Sequence, residues 1–119
     1  MRFVKDGLYD WDLITNQIYF SPGWKKILGY EENEINNEFS EWERLTNFQD
    51  VKSTLEMLNE VLEGKRDQFY KEIRMQHKNG HWVDILSRAK VIFDEKGKGV
   101  RFVGTHVDIT QLKQMERAL

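Results

Sequence analysis

Three strand-like runs fill the second half of the chain: Gln68 to His77, Trp82 to Phe93 and Val100 to Val107. The turn sequences Lys78-Asn79-Gly80 and Asp94-Glu95-Lys96-Gly97 separate them, which makes the runs an antiparallel meander. Alternation places Ile73 and Met75, then Val83, Ile85, Ser87, Ala89 and Val91, on one face, the face that helices must cover. The opposite face is amphipathic: Glu72, Arg74, Asp84, Arg88 and Lys90 lie there among Trp82, Leu86 and Ile92, with Val103, Thr105 and Val107 in the last run. A three-residue loop at Lys78 to Gly80 sets Arg74 opposite Asp84, a cross-strand ion pair worth at most about 1 kcal/mol. The apolar residues on that outer face call for a cover of their own.

The first half supplies the helices. Gly7 to Leu13 and Gln17 to Phe20 read as a hairpin around Thr15-Asn16, where asparagine tolerates left-handed backbone angles. Ser21 before Pro22 is an N-cap followed by a favoured first helical residue; Trp24, Ile27 and Leu28 form the apolar side, and Gly29 ends the helix. From Glu31 to Asn47 the pattern is broken and polar, punctuated by Ile35, Phe39, Trp42 and Leu45, as in short helical turns over an apolar surface. Val51, Leu55, Leu58 and Leu62 then define one side of the longest helix, stopped by Gly64. The class is α+β.

At the other end the last strand runs without a break into Asp108-Ile109-Thr110 and then into helix formers from Gln111 to Leu119. Asp108 and Thr110 are both N-cap types, able to accept the first free helical N–H groups. Leu112, Met115 and Leu119 make an apolar stripe in a helix too short to stand alone in water. The stripe packs on this domain, pairs with a second copy or continues as a coiled coil in a longer protein, and the chain divides into a domain over 1–110 and the start of a linker helix over 111–119.

A length of 119 residues allows one core, and 13% aromatic against 32% charged residues makes it an aromatic core in a charged shell. A net charge of -2 gives no basic field, which argues against nucleic acid as partner. No run is apolar enough to enter a bilayer and Met1 to Leu13 has no leader pattern, so the expected location is cytoplasmic. With no cysteine there is no disulfide, thiolate nucleophile or thiol-linked chromophore.

The order of elements, with particular residues, resembles the PAS sensor domain over nearly the whole chain. Gly7-Leu8-Tyr9-Asp10-Trp11-Asp12-Leu13, Ile18-Tyr19-Phe20-Ser21 and Trp24-Lys25-Lys26-Ile27-Leu28-Gly29-Tyr30 are similar to the opening of the subfamily found in bacterial sensor histidine kinases and diguanylate cyclases. Arg74-Met75, Lys78-Asn79-Gly80 and Gly104-Thr105-His106-Val107-Asp108-Ile109-Thr110 are similar to its closing, PAC-type segment. Two positions depart from the pattern: Asn47-Phe48-Gln49-Asp50 stands where a His-Pro-Asp-Asp stretch is common, and Asp84 where an aromatic is. The resemblance implies a five-stranded antiparallel sheet covered on one face by short helices and one longer helix, with an exit helix. It implies a non-catalytic sensing or relay module of a larger bacterial signalling protein. Such a module is homodimeric through the outer sheet face (Val103, Val107) and the exit helix (Leu112, Met115, Leu119), and drives a fused effector. Asp108, Ile109 and Thr110 carry the relay role over from relatives.

The inward residues Tyr9, Trp11, Phe39, Trp42, Leu55, Ile73, Met75, Ile85, Ser87 and His106 are the candidate ligand pocket, with Ser87 and His106 its polar members. His106 is similar in position to the glutamine that contacts flavin in light-oxygen-voltage relatives; the plainer reading is a core histidine bonded to Ser87, Tyr19 or a backbone carbonyl. His77 and His81 flank a turn but supply only two nitrogens, too few for a metal site. Asp10 and Asp12, with Asn16 nearby, read as edge or turn-capping groups. Relatives that bind haem take a histidine from the long helix, and Val51 to Leu62 has none, so a small organic ligand or none is expected. Other readings are a ligand-free dimerisation module, and a small enzyme pairing His106 with Asp108, which requires an open cleft and a carboxylate within reach.

Overall fold

The structure, a computed structural model, describes residues 6–119; the start of the domain at Met1 lies outside them. The hairpin expected at the N-terminus is present as β1 (Gly7–Asp12) and β2 (Ile18–Phe20), turned by Asn16 at φ 66°. The short helix α1 (Pro22–Ile27) is capped by the Ser21 hydroxyl, which accepts from the Trp24 amide, and is followed by Gly29 at φ +81°. A single 3-10 turn (Glu32–Glu34), α2 (Phe39–Leu45) and α3 (Phe48–Leu62) complete the cover. The meander follows as β3 (Phe69–Gln76), β4 (Trp82–Phe93) and β5 (Gly99–Asp108), and α4 (Thr110–Ala118) leaves the domain.

The five strands form one antiparallel sheet in the order β2-β1-β5-β4-β3, with β5 in the centre beside β1. Its covered face carries Tyr9, Phe20, Phe69, Ile73, Met75, Val83, Ile85, Ser87, Val91, Phe102 and His106, all buried, and Ala89, half-buried, as the alternation requires. The outer face leaves Leu8, Tyr19, Tyr70, Trp82 and Ile92 exposed. Lys25 is buried as well; its ammonium donates to the Glu32 and Ile35 carbonyls at 2.9 and 2.8 Å, holding the segment after α1 against that helix.

Three expectations change. Arg74 does lie opposite Asp84, but its guanidinium turns to Asp50 in the first turn of α3, with Nε to Oδ2 at 2.9 Å and a second contact at 3.0 Å. The planar fork gains two charge-assisted bonds there, against one cross-strand contact on the exposed face. Burial raises the Asp50 pKa, but the bonds from Arg74 outweigh it and hold the carboxyl below its ordinary value. Second, α3 begins at Phe48, with Asn47 accepting from the Gln49 amide, and its buried line is Thr54, Leu58 and Val61. Val51, Leu55 and Leu62 are only half-buried, because the helix is rotated to set this neighbouring stripe on the sheet. Third, the Thr110 hydroxyl does not cap α4: it accepts from the Asp84 amide on β4, while Asp108 Oδ1 accepts from the Thr110 amide.

Candidate functional site

Between the covering helices and the sheet lies a cavity of about 40 Å³. Of the residues expected there, Tyr9, Trp11, Phe39, Trp42, Leu55, Ile73, Ser87 and His106 line it. Met75 and Ile85 do not; both are fully buried in the packed core beside it. Ile18, Phe20, Trp24, Thr54, Leu58 and Phe102 line it in addition. Phe102 was legible, since it alternates with His106 on one strand; Thr54 was not, being a polar residue beside the apolar line of α3.

The polar part of the wall is built across three strands. Gly104 on β5 stands opposite Tyr9 on β1, and a Cβ there would come within 2.6 Å of the tyrosine hydroxyl. The missing side chain lets the Tyr9 ring cross β5 and bond the Ser87 hydroxyl on β4 at 3.0 Å. Burial pushes the Tyr9 pKa up, with the Ser87 bond opposing, so the phenol stays protonated. His106 is buried in the core, as the plainer reading expected, and the Ser87 hydroxyl bonds Tyr9. The His106 ring stacks on Trp24 with centroids 5.5 Å apart and meets the edge of Tyr9 at 5.1 Å. Burial pushes its pKa down to about 3, so the imidazole is neutral near pH 7. Trp24 in turn stacks on Phe20 at 3.9 Å.

The strand that supplies Phe102 and His106 ends in the exit junction. Ile109 donates to the Asp84 carbonyl at 2.8 Å and the Asp84 amide donates to Thr110 Oγ1 at 3.0 Å, so both backbone groups of one β4 residue grip the segment. Past the junction, Lys113 reaches Glu72 at 2.8 Å and Arg117 approaches Asp84 at 3.5 Å, bringing α4 alongside the outer-face charges of β3 and β4. Leu112, Met115 and Leu119 remain exposed, and Val103 and Val107 are half-buried. The departure from the family pattern at Asp84 thus adds a carboxylate facing Arg117 of α4, while the grip on the junction comes from its backbone.

The remaining candidates lie elsewhere. His77 and His81 stack at 4.4 Å, with His77 Nδ1 already accepting from the Asn79 amide. Burial first, and His81 second, lower the His77 pKa. Among the described residues no group of three metal-ligating side chains comes together. Asp12 Oδ1 caps its turn by accepting from Ile14 and Thr15, and Asp10 pairs with Arg101 at 2.7 Å. Asp108 is exposed and bonded to its own turn, while His106 is enclosed among aromatic rings. No helix among the described residues is long and apolar enough to cross a membrane.

Comparison with known proteins agrees with this architecture. The PAS fold family model matches residues 17–106. No curated protein matches the chain. Among solved structures, a sensory box histidine kinase/response regulator from Burkholderia thailandensis is 33% identical, with a TM-score of 0.81 over 97% of this chain and 85% of that one. The PAS domain of a protein from Colwellia psychrerythraea is 25% identical, with a TM-score of 0.71 over 92% of this chain and 90% of that one. The N-terminal domain of a diguanylate cyclase with PAS/PAC sensor from Marinobacter aquaeolei is 19% identical, with a TM-score of 0.77 over 92% and 99%. With the meander, the covering helices and the strand-to-helix exit all in place, the chain belongs to the PAS fold family.

Proposed function

We propose that this PAS domain is the sensing and relay module of a larger bacterial signalling protein. It takes a small organic ligand in its core and passes the change to a fused effector, a histidine kinase or a diguanylate cyclase, in the cytoplasm. One observation carries the reading: a single central strand, β5, bears the cavity residues Phe102 and His106 and, within four residues, the Asp108-Ile109-Thr110 junction. A displacement at the cavity wall therefore acts directly on the root of the exit helix. The cavity is far too small for a flavin or a haem, which supports the choice of a small ligand.

A double-substitution cycle tests the relay. Phe102→Leu, at the cavity, is expected to change amide hydrogen exchange over residues 110–118 by about threefold or more. In the background of Thr110→Val, which removes the bond to the Asp84 amide, the same change should have no effect on α4. If α4 ignores Phe102→Leu in the parent protein, the relay is wrong.

The same domain is proposed to be a homodimer through the outer sheet face and α4. The exposed stripe of Leu112, Met115 and Leu119 favours this, since the folded monomer buries none of α4. Leu112→Glu should weaken self-association at least about tenfold in sedimentation equilibrium. An unchanged association constant takes the stripe out of the interface. A ligand-free assembly module is the second reading, favoured by how nearly the aromatic rings fill the core.

A further inference from the structure

We propose that the cavity takes a neutral molecule of about four heavy atoms carrying a carbonyl-type acceptor, and that Trp24 and Thr54 recognise it. This rests on the sensing reading above and adds the chemistry of the ligand. Two residues of the cavity wall each carry a polar atom buried without a partner: the indole Nε1 of Trp24 on α1 and the hydroxyl of Thr54 on α3. Folded proteins pair nearly all such atoms, and each unpaired one lowers stability. Two of them, brought by separate helices to one small cavity, describe the complement of a missing molecule. The indole nitrogen only donates, so that molecule must accept; the hydroxyl takes either role. The nearby hydroxyls of Tyr9 and Ser87 are bonded to each other and do not compete.

The size and charge of the cavity narrow the class further. At about 40 Å³ it holds roughly three waters or a molecule of about four heavy atoms. No charged side chain lines it, so a carboxylate or an ammonium would be buried without a counter-ion. The nearest buried cation, Lys25, is committed to the Glu32 and Ile35 carbonyls and stands outside the wall. His106 is neutral and supplies no positive charge at physiological pH. The remaining walls are aromatic and aliphatic, suited to the methyl end of a small amide or ketone.

Acetamide and acetate have nearly the same shape and differ in charge, which makes them the discriminating probes. Titrated into the ¹⁵N-labelled protein, acetamide is expected to move the Trp24 indole N–H resonance downfield and saturably, with Kd in the millimolar range. The resonance is assigned by its loss in Trp24→Phe. Acetate at the same concentrations should leave it in place. Thr54→Val should weaken acetamide binding about tenfold while binding of xenon, which needs only an apolar void, is retained. Binding of acetate at Trp24, or of xenon alone, overturns the proposal, as does full affinity in Thr54→Val. The exit helix separates this result from the sensing reading. If acetate rather than acetamide shifts Trp24 and the amides of residues 110–118, the ligand class falls and sensing stands. If acetamide seats on Trp24 and those amides stay still, the class stands and the relay falls.

Discussion

Trp24→Ala is expected to lower the unfolding free energy by about 3–5 kcal/mol, the range for emptying a fully buried large aromatic site. Trp24 is 1% exposed and sits where three parts of the chain meet. Its indole lies flat on Phe20 of β2 and on His106 of β5. Its backbone is pressed against β1 so closely that a Cβ on Gly7 would come within 2.5 Å of its Cα. The alanine variant cannot collapse to fill the gap, because the strands on the far side are held in register by the sheet. The new void would also open into the existing cavity, so the surroundings lose contacts on two sides. Domains of this size have roughly 5–15 kcal/mol in total, so the variant should be partly unfolded at moderate urea concentrations where the parent is intact. Urea titration followed by far-ultraviolet circular dichroism measures the difference. A loss below about 1 kcal/mol would mean that the indole is not what fastens α1 to the sheet.

The roles of these residues were unequally visible in the amino-acid sequence, for a physical reason that differs from place to place. The meander was legible because strand alternation and turn chemistry are local; β4 has the very bounds, Trp82–Phe93, that its pattern predicts. The Ser21-Pro22 start and Gly29 end of α1 were legible for the same reason. The buried line of α3 was not, because Thr54 breaks its apolar pattern and Leu58 belongs to both lines, so that only the rotation of the helix on the sheet distinguishes them. The partner of Arg74 was hidden likewise: Asp84 is its neighbour by register, but Asp50, 24 residues away in the chain, is brought near by the packing of α3. At the cavity, periodicity identified inward side chains well, yet it cannot separate those that line an empty space from those that fill it. Met75 and Ile85 share their face with Ser87, and only the crossing of Tyr9 over Gly104 decides where the core is left open. Likewise Thr110 has the chemistry of a cap, and what diverts its hydroxyl to Asp84 is the approach of β4, a tertiary fact.

Lowering the pH from 7 to 5 should cost the protein about 2 kcal/mol through His106 alone. The group has a folded pKa of about 3, depressed by complete burial, against about 6.5 in the unfolded chain. Between those values the unfolded chain binds a proton that the folded one refuses, so stability rises with pH. The contribution is fully present above about pH 6.5 and is lost progressively as the pH falls toward 3. At pH 5 the deficit is about one and a half pH units at about 1.4 kcal/mol each. The faces around the imidazole offer no relief, since Trp24 and Tyr9 carry no charge with which to stabilise a cation. Carboxylates act in the same direction but lower on the scale. Asp12 is held down by its turn amides, Glu34 by Lys78, and Asp50 by Arg74 after the opposing effect of burial. Their contributions fade only as the unfolded carboxyls take up protons, around pH 4 and below, so pH 5 isolates the histidine. His77 is also depressed, but it is distant and cancels in a comparison with His106→Leu. Urea denaturation of both proteins at pH 7 and pH 5 should therefore give a larger acid loss for the parent, by about 2 kcal/mol. Equal losses would mean that His106 takes up its proton in the folded state, which requires either an acceptor beside the ring or water in the cavity.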